Sequence, residues 1–476
     1  MSSRKISTVL VCLLTASALM SCGGEAVSGG AGETAAADAA LPDVTEPVDS
    51  GTTEIRPNLP EETYGGREFV LFNTFFGDGK YVDSEIYPEE LDGEALNDAL
   101  YERCRTVEEQ YDVKVTDNHG SLAQAKKSIA AGDDSFGVTF ATLTDIMSCV
   151  TAGYAVDIET MPYIDLSASW WDQNARRKLS FCGKLYYTFS DLIFLQLDNC
   201  RAFYFNKKMI DDFGLENPYD IVRDFRWTID KMTEIGLKVV SDIDGDGKMG
   251  KGDRYGVMSW GVTGLYEALL TGGDAEIVKQ GDDGIPYFYC STERFADVYT
   301  KILDTMGQND IFYIGEIEKF MQDEVLFNCN SLNNTVRQRT MDTDFGILPV
   351  PMYEESQQKY ENVSPNAHAL FVPVSAADRE FAGIMLEALS YESSKTVYPA
   401  YYDIMLKGKS ARDNESEEML DLIRGSVSYV IKIIGTKFSD ALYTQMGKNN
   451  YDIQSFVEKN REKNETALAD VISEFG

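Results

Sequence analysis

A chain of 476 residues with 43% hydrophobic content exceeds the ~250–300 residues at which a single core stops growing, so two core-bearing lobes are expected rather than one domain. Its formal charge of −35, from 78 acidic against 43 basic residues, repels phosphate backbones and anionic surfaces. That excludes nucleic acid as a partner and favours a neutral or cationic small ligand, although acidity also serves plain solubility.

The N-terminus reads as an export signal. Arg4 and Lys5 precede an apolar stretch, Ile6 to Ala18, that is too short to span a bilayer. Leu19-Met20-Ser21-Cys22-Gly23 follows and resembles the lipobox of bacterial lipoproteins. The resemblance implies removal of residues 1–21 and lipidation of Cys22; an ordinary secretory signal with an incidental cysteine is the alternative. Residues 22–63 are rich in Gly, Ala, Ser, Thr and Pro, and from Gly23 to Thr63 nine carboxylates face Arg56 alone. Such a segment has little to bury and reads as a disordered acidic tether. Folded structure is expected from about Tyr64.

There the pattern changes. Glu68 to Asn73 is a strand-like apolar run, Glu94 to Tyr111 carries Leu96, Leu100, Cys104, Val107 and Tyr111 at helical spacing, and Val113-Lys114-Val115 resumes a strand. This is a β-α-β unit. The alternation continues with Leu185 to Phe205 extended, Trp227 to Leu237 helical, Asp344 to Pro349 a strand, and Phe381 to Leu389 and Glu417 to Ile423 helical. An α/β fold follows, with sheets covered by helices. Cys104, Cys149, Cys182, Cys200, Cys290 and Cys329 show no CxxC spacing, so structural zinc is not expected. Buried thiols are, with a disulfide or two as the alternative.

The sharpest local signal is Asp242-Ile243-Asp244-Gly245-Asp246-Gly247-Lys248, continued to Asp253. Oxygen donors at Asp242, Asp244 and Asp246, a turn glycine at Gly247, the Lys248 carbonyl and the Asp253 carboxylate reproduce the EF-hand calcium loop. Calcium is the expected occupant, in a structural role; a metal-free acidic turn is the alternative.

From Tyr64 onward several segments occur in order: Asn97-Asp98-Ala99-Leu100-Tyr101-Glu102-Arg103, Trp170-Trp171-Asp172, Gly183-Lys184-Leu185-Tyr186, Phe203-Tyr204-Phe205-Asn206-Lys207-Lys208, Trp227-Thr228, and Phe345-Gly346-Ile347-Leu348-Pro349-Val350-Pro351. Together they resemble extracellular solute-binding proteins of the sugar-binding group, relatives of maltose-binding protein. The resemblance implies a two-lobed periplasmic-binding-protein-like fold of type II that closes over a carbohydrate. Lobe one is then 64–190 plus 327–372, and lobe two 191–326 plus 373–476. Crossings are implied near Leu185 to Arg201, Val325 to Asn330 and Leu370 to Ser375. Implied partners are a sugar and the permease subunits of an ATP-binding-cassette importer. The implied location is the outer face of a Gram-positive cell membrane, as a monomer anchored through Cys22.

Sugar recognition needs flat apolar faces for the C–H side of a pyranose and planar polar groups for its hydroxyls. Trp171 and Trp260 are the expected stacking platforms, with Trp227 assigned to packing. Asn73 at the exit of the first strand, Asp191 in the crossing, and Asn330, Asn333 and Arg337 after the second crossing are the expected polar contacts. Each has a blander role open to it as a core residue, cap or surface ion pair. The rival functions are a glycoside hydrolase or lyase and a surface receptor without transport. Only His119 and His368 exist, and no GxSxG, HExxH, P-loop or GxGxxG is present, so histidine-based catalysis has little material and no enzyme is expected.

Overall fold

Along β1 (Arg67–Asn73) the side chains of Phe69, Leu71 and Asn73 are buried while Val70 and Phe72 are half-buried, the period-2 signature of a strand covered more fully on one face. The computed structural model describes residues 55–74, 86–307, 310–365, 367–408, 411–434 and 436–475. The expected signal, Cys22 and nearly all of the tether lie outside them. Arg56–Gly476 forms a compact unit and is described by itself. No helix among the described residues is long and apolar enough to cross a membrane.

The helix Ala95–Tyr111 connects β1 to β2 (Val113–His119), and the two strands pair in parallel, as the β-α-β reading requires. β3 (Val138–Thr142) lies parallel on the other side of β1. Past Val150 the chain runs through short helices to Gln173–Leu179 and then crosses to the second sheet. That sheet is built by β4 (Arg201–Asn206), β5 (Tyr255–Ser259), β8 (Phe312–Ile314), β9 (Val325–Ser331) and β10 (Phe345–Leu348), in the order β10-β4-β9-β5-β8. β6 (Val278–Gln280) and β7 (Pro286–Phe288) form a separate hairpin, and β11 (Asn362–Val363) pairs with β13 (Val427–Ser428). β12 (His368–Phe371) returns to the first sheet, antiparallel to β3, giving the order β12-β3-β1-β2. The result is a two-lobed α/β protein with each sheet flanked by helices. Side chains of Ser121, Asp172, Asn206, Thr228, Thr292 and Asp378 cap the N-termini of the helices that follow them.

Four sequence expectations are corrected. The stretch Leu185 to Phe205 is not extended throughout, because Leu195–Asp198 forms a helical turn before β4. Val325 to Asn330 is not a crossing: it is β9, central in the second sheet, paired to β4 on one side and β5 on the other. A strand buried on both faces reads as one continuous apolar run, which a crossing strand also does. In consequence 327–372 does not go as a block with the first lobe. β9 and β10 stay in the second sheet, and the chain returns only between Leu348 and His368. Nor does Leu370 to Ser375 lead into the second lobe. The helix Arg379–Lys395 that follows packs on the first sheet, with the Phe381 ring 4.8 Å from Tyr64 and 5.8 Å from Phe69. Gly383 sits so close to the Pro162 carbonyl that any larger residue would collide with it. The helix Asn414–Gly425 then joins the second lobe, where Ser416 meets the Tyr219 hydroxyl at 2.7 Å.

The crossing segment is held from the first lobe. Phe189–Asp191 pairs with Trp170–Asp172, through Asp172 N–H to the Phe189 carbonyl at 3.0 Å and Asp191 N–H to the Trp170 carbonyl at 2.9 Å. Both indoles point into the core, and Trp170 and Trp171 donate to the two oxygens of Glu387 at 3.0 and 2.8 Å. Glu387 is 1% exposed, and burial pushes its carboxyl up to about 7 against those two bonds. All six cysteines of this region are unpaired thiols, five of them buried.

Glu387→Gln offers one acceptor where two are needed, so one indole N–H faces an amide NH₂, and urea unfolding will show a loss of ~1–3 kcal/mol. Trp171→Phe on that background will cost less than in the parent, since the orphaned donor is gone. Between the ordinary glutamate value near 4.5 and the buried value near 7, the native state holds the extra proton. Unfolding free energy therefore falls as pH rises through that window, and the Gln variant flattens the Glu387 part of the slope.

Candidate ligand cleft

In open α/β sheets ligands are met at the carboxyl ends of the strands, where loops leave and helices begin. In the first sheet the parallel strands β1, β2 and β3 end at Asn73, His119 and Thr142, with His368 of β12 paired to Thr142. Asn73 is fully buried; its carbonyl accepts the Gly120 N–H at 3.0 Å, and Thr74 Oγ1 beside it donates to the Phe140 carbonyl at 2.7 Å.

In the second sheet β5, β8 and β9 end together at Ser259, Ile314 and Ser331, since Ser259 is in register with both Ile314 and Cys329. Immediately past β5 stands Trp260, 68% exposed, and the exposed Ile314, last residue of β8, is in register with Ser259 just before it. After β9 the chain turns through an asparagine cluster. Asn334 Nδ2 donates to Asn330 Oδ1 at 2.9 Å and to Asn333 Oδ1 at 2.8 Å, while Arg201 donates to Ser331 Oγ at 3.0 Å. A planar apolar face and a group of amides thus share one sheet end.

Of the expected contacts, Asn73, Trp260, Asn330 and Asn333 stand at strand ends. Trp171 does not present an open face: it is 2% exposed and its indole is bonded to Glu387. Asp191 lies back in the crossing, facing Arg424 rather than a strand end, and burial pushes its carboxyl up to about 8. Arg337 is taken by an exposed ion pair with Glu318 at 2.9 Å. Trp227 is buried, with its indole donating to the Pro349 carbonyl at 2.8 Å, the packing role expected of it.

The residue that sequence reasoning missed is Asp198, at the end of the helical turn Leu195–Asp198. It is 2% exposed, with Asn333 alongside and its Oδ1 accepting from Tyr401 Oη at 3.1 Å. Its Oδ2 is buried without a hydrogen-bond partner among the described residues, and burial pushes the carboxyl up to about 7. An open buried acceptor costs free energy until something donates to it. Tyr401 is carried by π-helical turns over Ala400–Gly408, a geometry that recurs at functional sites. The signal available in the sequence was a single acid inside the apolar run Leu192 to Phe205.

The acidic loop stands apart on the surface. Carboxylate oxygens of Asp242, Asp244 and Asp246 lie within 4.8 Å of one another and are exposed. Positive φ at Gly245 and Gly247 makes the turn, and the Gly245 and Gly247 N–H groups donate to Asp242 at 2.6 and 2.8 Å. Asp253 is spent differently: it is fully buried and accepts N–H bonds from Ile243 at 2.7 Å and Gly250 at 2.6 Å, closing the loop on itself. Three converging carboxylates suit a hard cation such as calcium; Asp253 in this arrangement shapes the loop instead of joining the three.

No family model and no curated protein matches the chain. Solved structures do. The maltose/maltodextrin-binding domain from Bdellovibrio bacteriovorus, bound to maltotriose, is 15% identical, covers 84% of this chain and 100% of its own, and superposes with a TM-score of 0.52. An ABC substrate-binding protein from Listeria monocytogenes in complex with cycloalternan is 12% identical, with coverage of 85% and 99% and a TM-score of 0.54. The cyclic α-maltosyl-1,6-maltose binding protein from Arthrobacter globiformis is 14% identical, with coverage of 86% and 99% and a TM-score of 0.54. At these identities the likeness is one of fold: the chain has the two-lobed, type II architecture of periplasmic-binding-protein-like sugar-binding proteins.

Proposed function

We propose that this protein captures a sugar or oligosaccharide between its lobes without altering it chemically, and hands it to the permease of an ATP-binding-cassette importer. Trp260 carries the reading: a tryptophan 68% exposed at the carboxyl end of a strand, beside the Asn330–Asn334 amides, is an unspent stacking face. The buried Asp198 carboxyl, with Asn333 alongside, orients that amide toward a sugar hydroxyl. A ligand that touches both sheet ends stabilises the closed arrangement by its differential contacts, which is what a capture protein requires. The export signal and Cys22 complete the reading, with the protein held by lipid on the outer face of the membrane. Calcium in the Asp242–Asp246 loop would brace the second lobe through Lys248 and the three aspartates.

A thermal-shift screen of mono- and oligosaccharides will show one glycan class raising Tm, through linkage to the native state. Titration calorimetry of that glycan will show Trp260→Ala weakening it about tenfold, on the order of 1.4 kcal/mol. Asp198→Asn, which keeps an acceptor for Tyr401, will weaken it similarly. No product will accumulate on long incubation; hydrolysis or elimination products would replace capture with catalysis.

Calcium will raise Tm and a chelator lower it, with affinity on the order of 10⁻⁴ to 10⁻³ M. Asp242→Asn with Asp246→Asn will abolish that response while leaving glycan binding intact. An unchanged Tm in the parent protein would mean a metal-free turn.

A further inference from the structure

Trp171 and Asp191, expected in the cleft, line a groove of about 530 Å³ together with Gln196, Tyr398, Asp421 and Arg424. Its charges do not cancel evenly. Asp172, at its wall, takes the Tyr429 hydroxyl at 2.5 Å and the Ala175 N–H at 2.9 Å, and burial favours its protonated form. Asp421 is paired with Lys407 at 2.7 Å and accepts the Tyr402 hydroxyl at 2.8 Å. Asp191, pushed up by burial to about 8, holds its proton at neutral pH.

Arg424 is left over. Its guanidinium carbon lies 4.3 Å over the Tyr398 ring and 5.0 Å over Tyr402, and it makes no hydrogen bond or ion pair among the described residues. Both rings lie to one side of the guanidinium, their centroids 5.7 Å apart, and its N–H groups have no acceptor among the described residues. A second group waits in the same groove: Gln196 is 6% exposed, and its Oε1 is buried without a partner among the described residues. A planar donor fork and an orphaned acceptor are complementary to a ligand that carries a carboxylate and hydroxyls.

We propose that this groove is a second binding site, distinct from the strand-end cleft, for a hydroxylated carboxylate of sugar size, such as a uronate. Arg424 receives the carboxylate as a two-pronged pair, and Gln196 Oε1 accepts from a ligand hydroxyl. Tyr398 and Tyr402 hold the guanidinium in place. The proposal does not depend on what the cleft binds.

Titration calorimetry of the intact protein with D-galacturonate and D-glucuronate tests it, with D-galactose and D-glucose as neutral counterparts. Uronate binding is expected with the neutral sugars failing to compete. Arg424→Gln will weaken it at least about tenfold, and Arg424→Lys, which keeps the charge but loses the fork, will fall between. Gln196→Leu will weaken it several-fold. Trp260→Ala will leave uronate binding unchanged while weakening any cleft glycan, so the two sites fail separately. The proposal is overturned if neither uronate binds up to about 10 mM. It is likewise overturned if neutral sugars bind the groove equally, if Arg424→Gln or Gln196→Leu binds like the parent, or if Trp260→Ala abolishes uronate binding. Circular dichroism confirms that each variant is folded before its affinity is read.

Discussion

One buried carboxylate organises the junction between the lobes. Glu387 accepts both indole N–H groups of Trp170 and Trp171, and so fixes the stretch against which Phe189–Asp191 of the crossing segment pairs. From that anchorage the chain runs Asp172 to Tyr429 and Asp191 toward Arg424, so the position of the second lobe's C-terminal elements is set from the first lobe's core. The arrangement is demanding, because one buried acid serves two buried indole donors and the Asp165 N–H at once. It also explains why a conspicuous tandem of tryptophans does not serve as a pair of stacking faces.

Much of the fold was legible. The strand Glu68 to Asn73, the helix up to Tyr111 and the strand at Val113 emerged from periodicity because each buries one face over many residues. Phe345–Leu348 and the helix Arg379–Lys395 were legible instead as apolar runs, buried over every face from Phe345 to Leu348 and from Phe381 to Ser393. What escaped was decided by partners instead of pattern. β9 and a crossing strand share the same apolar composition, and only pairing with β4 and β5 separates them. The turn Leu195–Asp198 is shorter than any window in which helical spacing can be seen. The cleft was legible in residue type more than in position: Trp171 and Trp260 are equal as letters, yet one is 2% and the other 68% exposed. Arg337 was a reasonable donor until Glu318 claimed it.

The acidity of the chain is resolved locally in more than one way. Asp274, Glu276 and Glu361 bring their carboxylates within 4.8 Å of one another in largely buried surroundings, which by spacing alone matches a cation site. Lysines fill that role. Lys178 reaches Glu276 at 2.7 Å and Glu361 at 3.0 Å, and Lys279 reaches Asp274 at 2.7 Å. Burial works against the Lys178 charge, but the two glutamates outweigh it and hold the ammonium protonated. The exposed trio at Asp242, Asp244 and Asp246 has no ion pair among the described residues, and Asp191 answers burial by keeping its proton. Two clusters and one lone acid thus have different counterparts: lysines, the backbone N–H groups of a turn, and a proton.

The unpaired state of the six thiols carries a consequence for how this protein reaches its final form. No covalent cross-link among the described residues stands between the nascent chain and the folded one. The fold of the described residues therefore uses no disulfide, and reaching it requires no oxidase to make one. Its shape rests instead on apolar burial, hydrogen bonds and a few buried ion pairs.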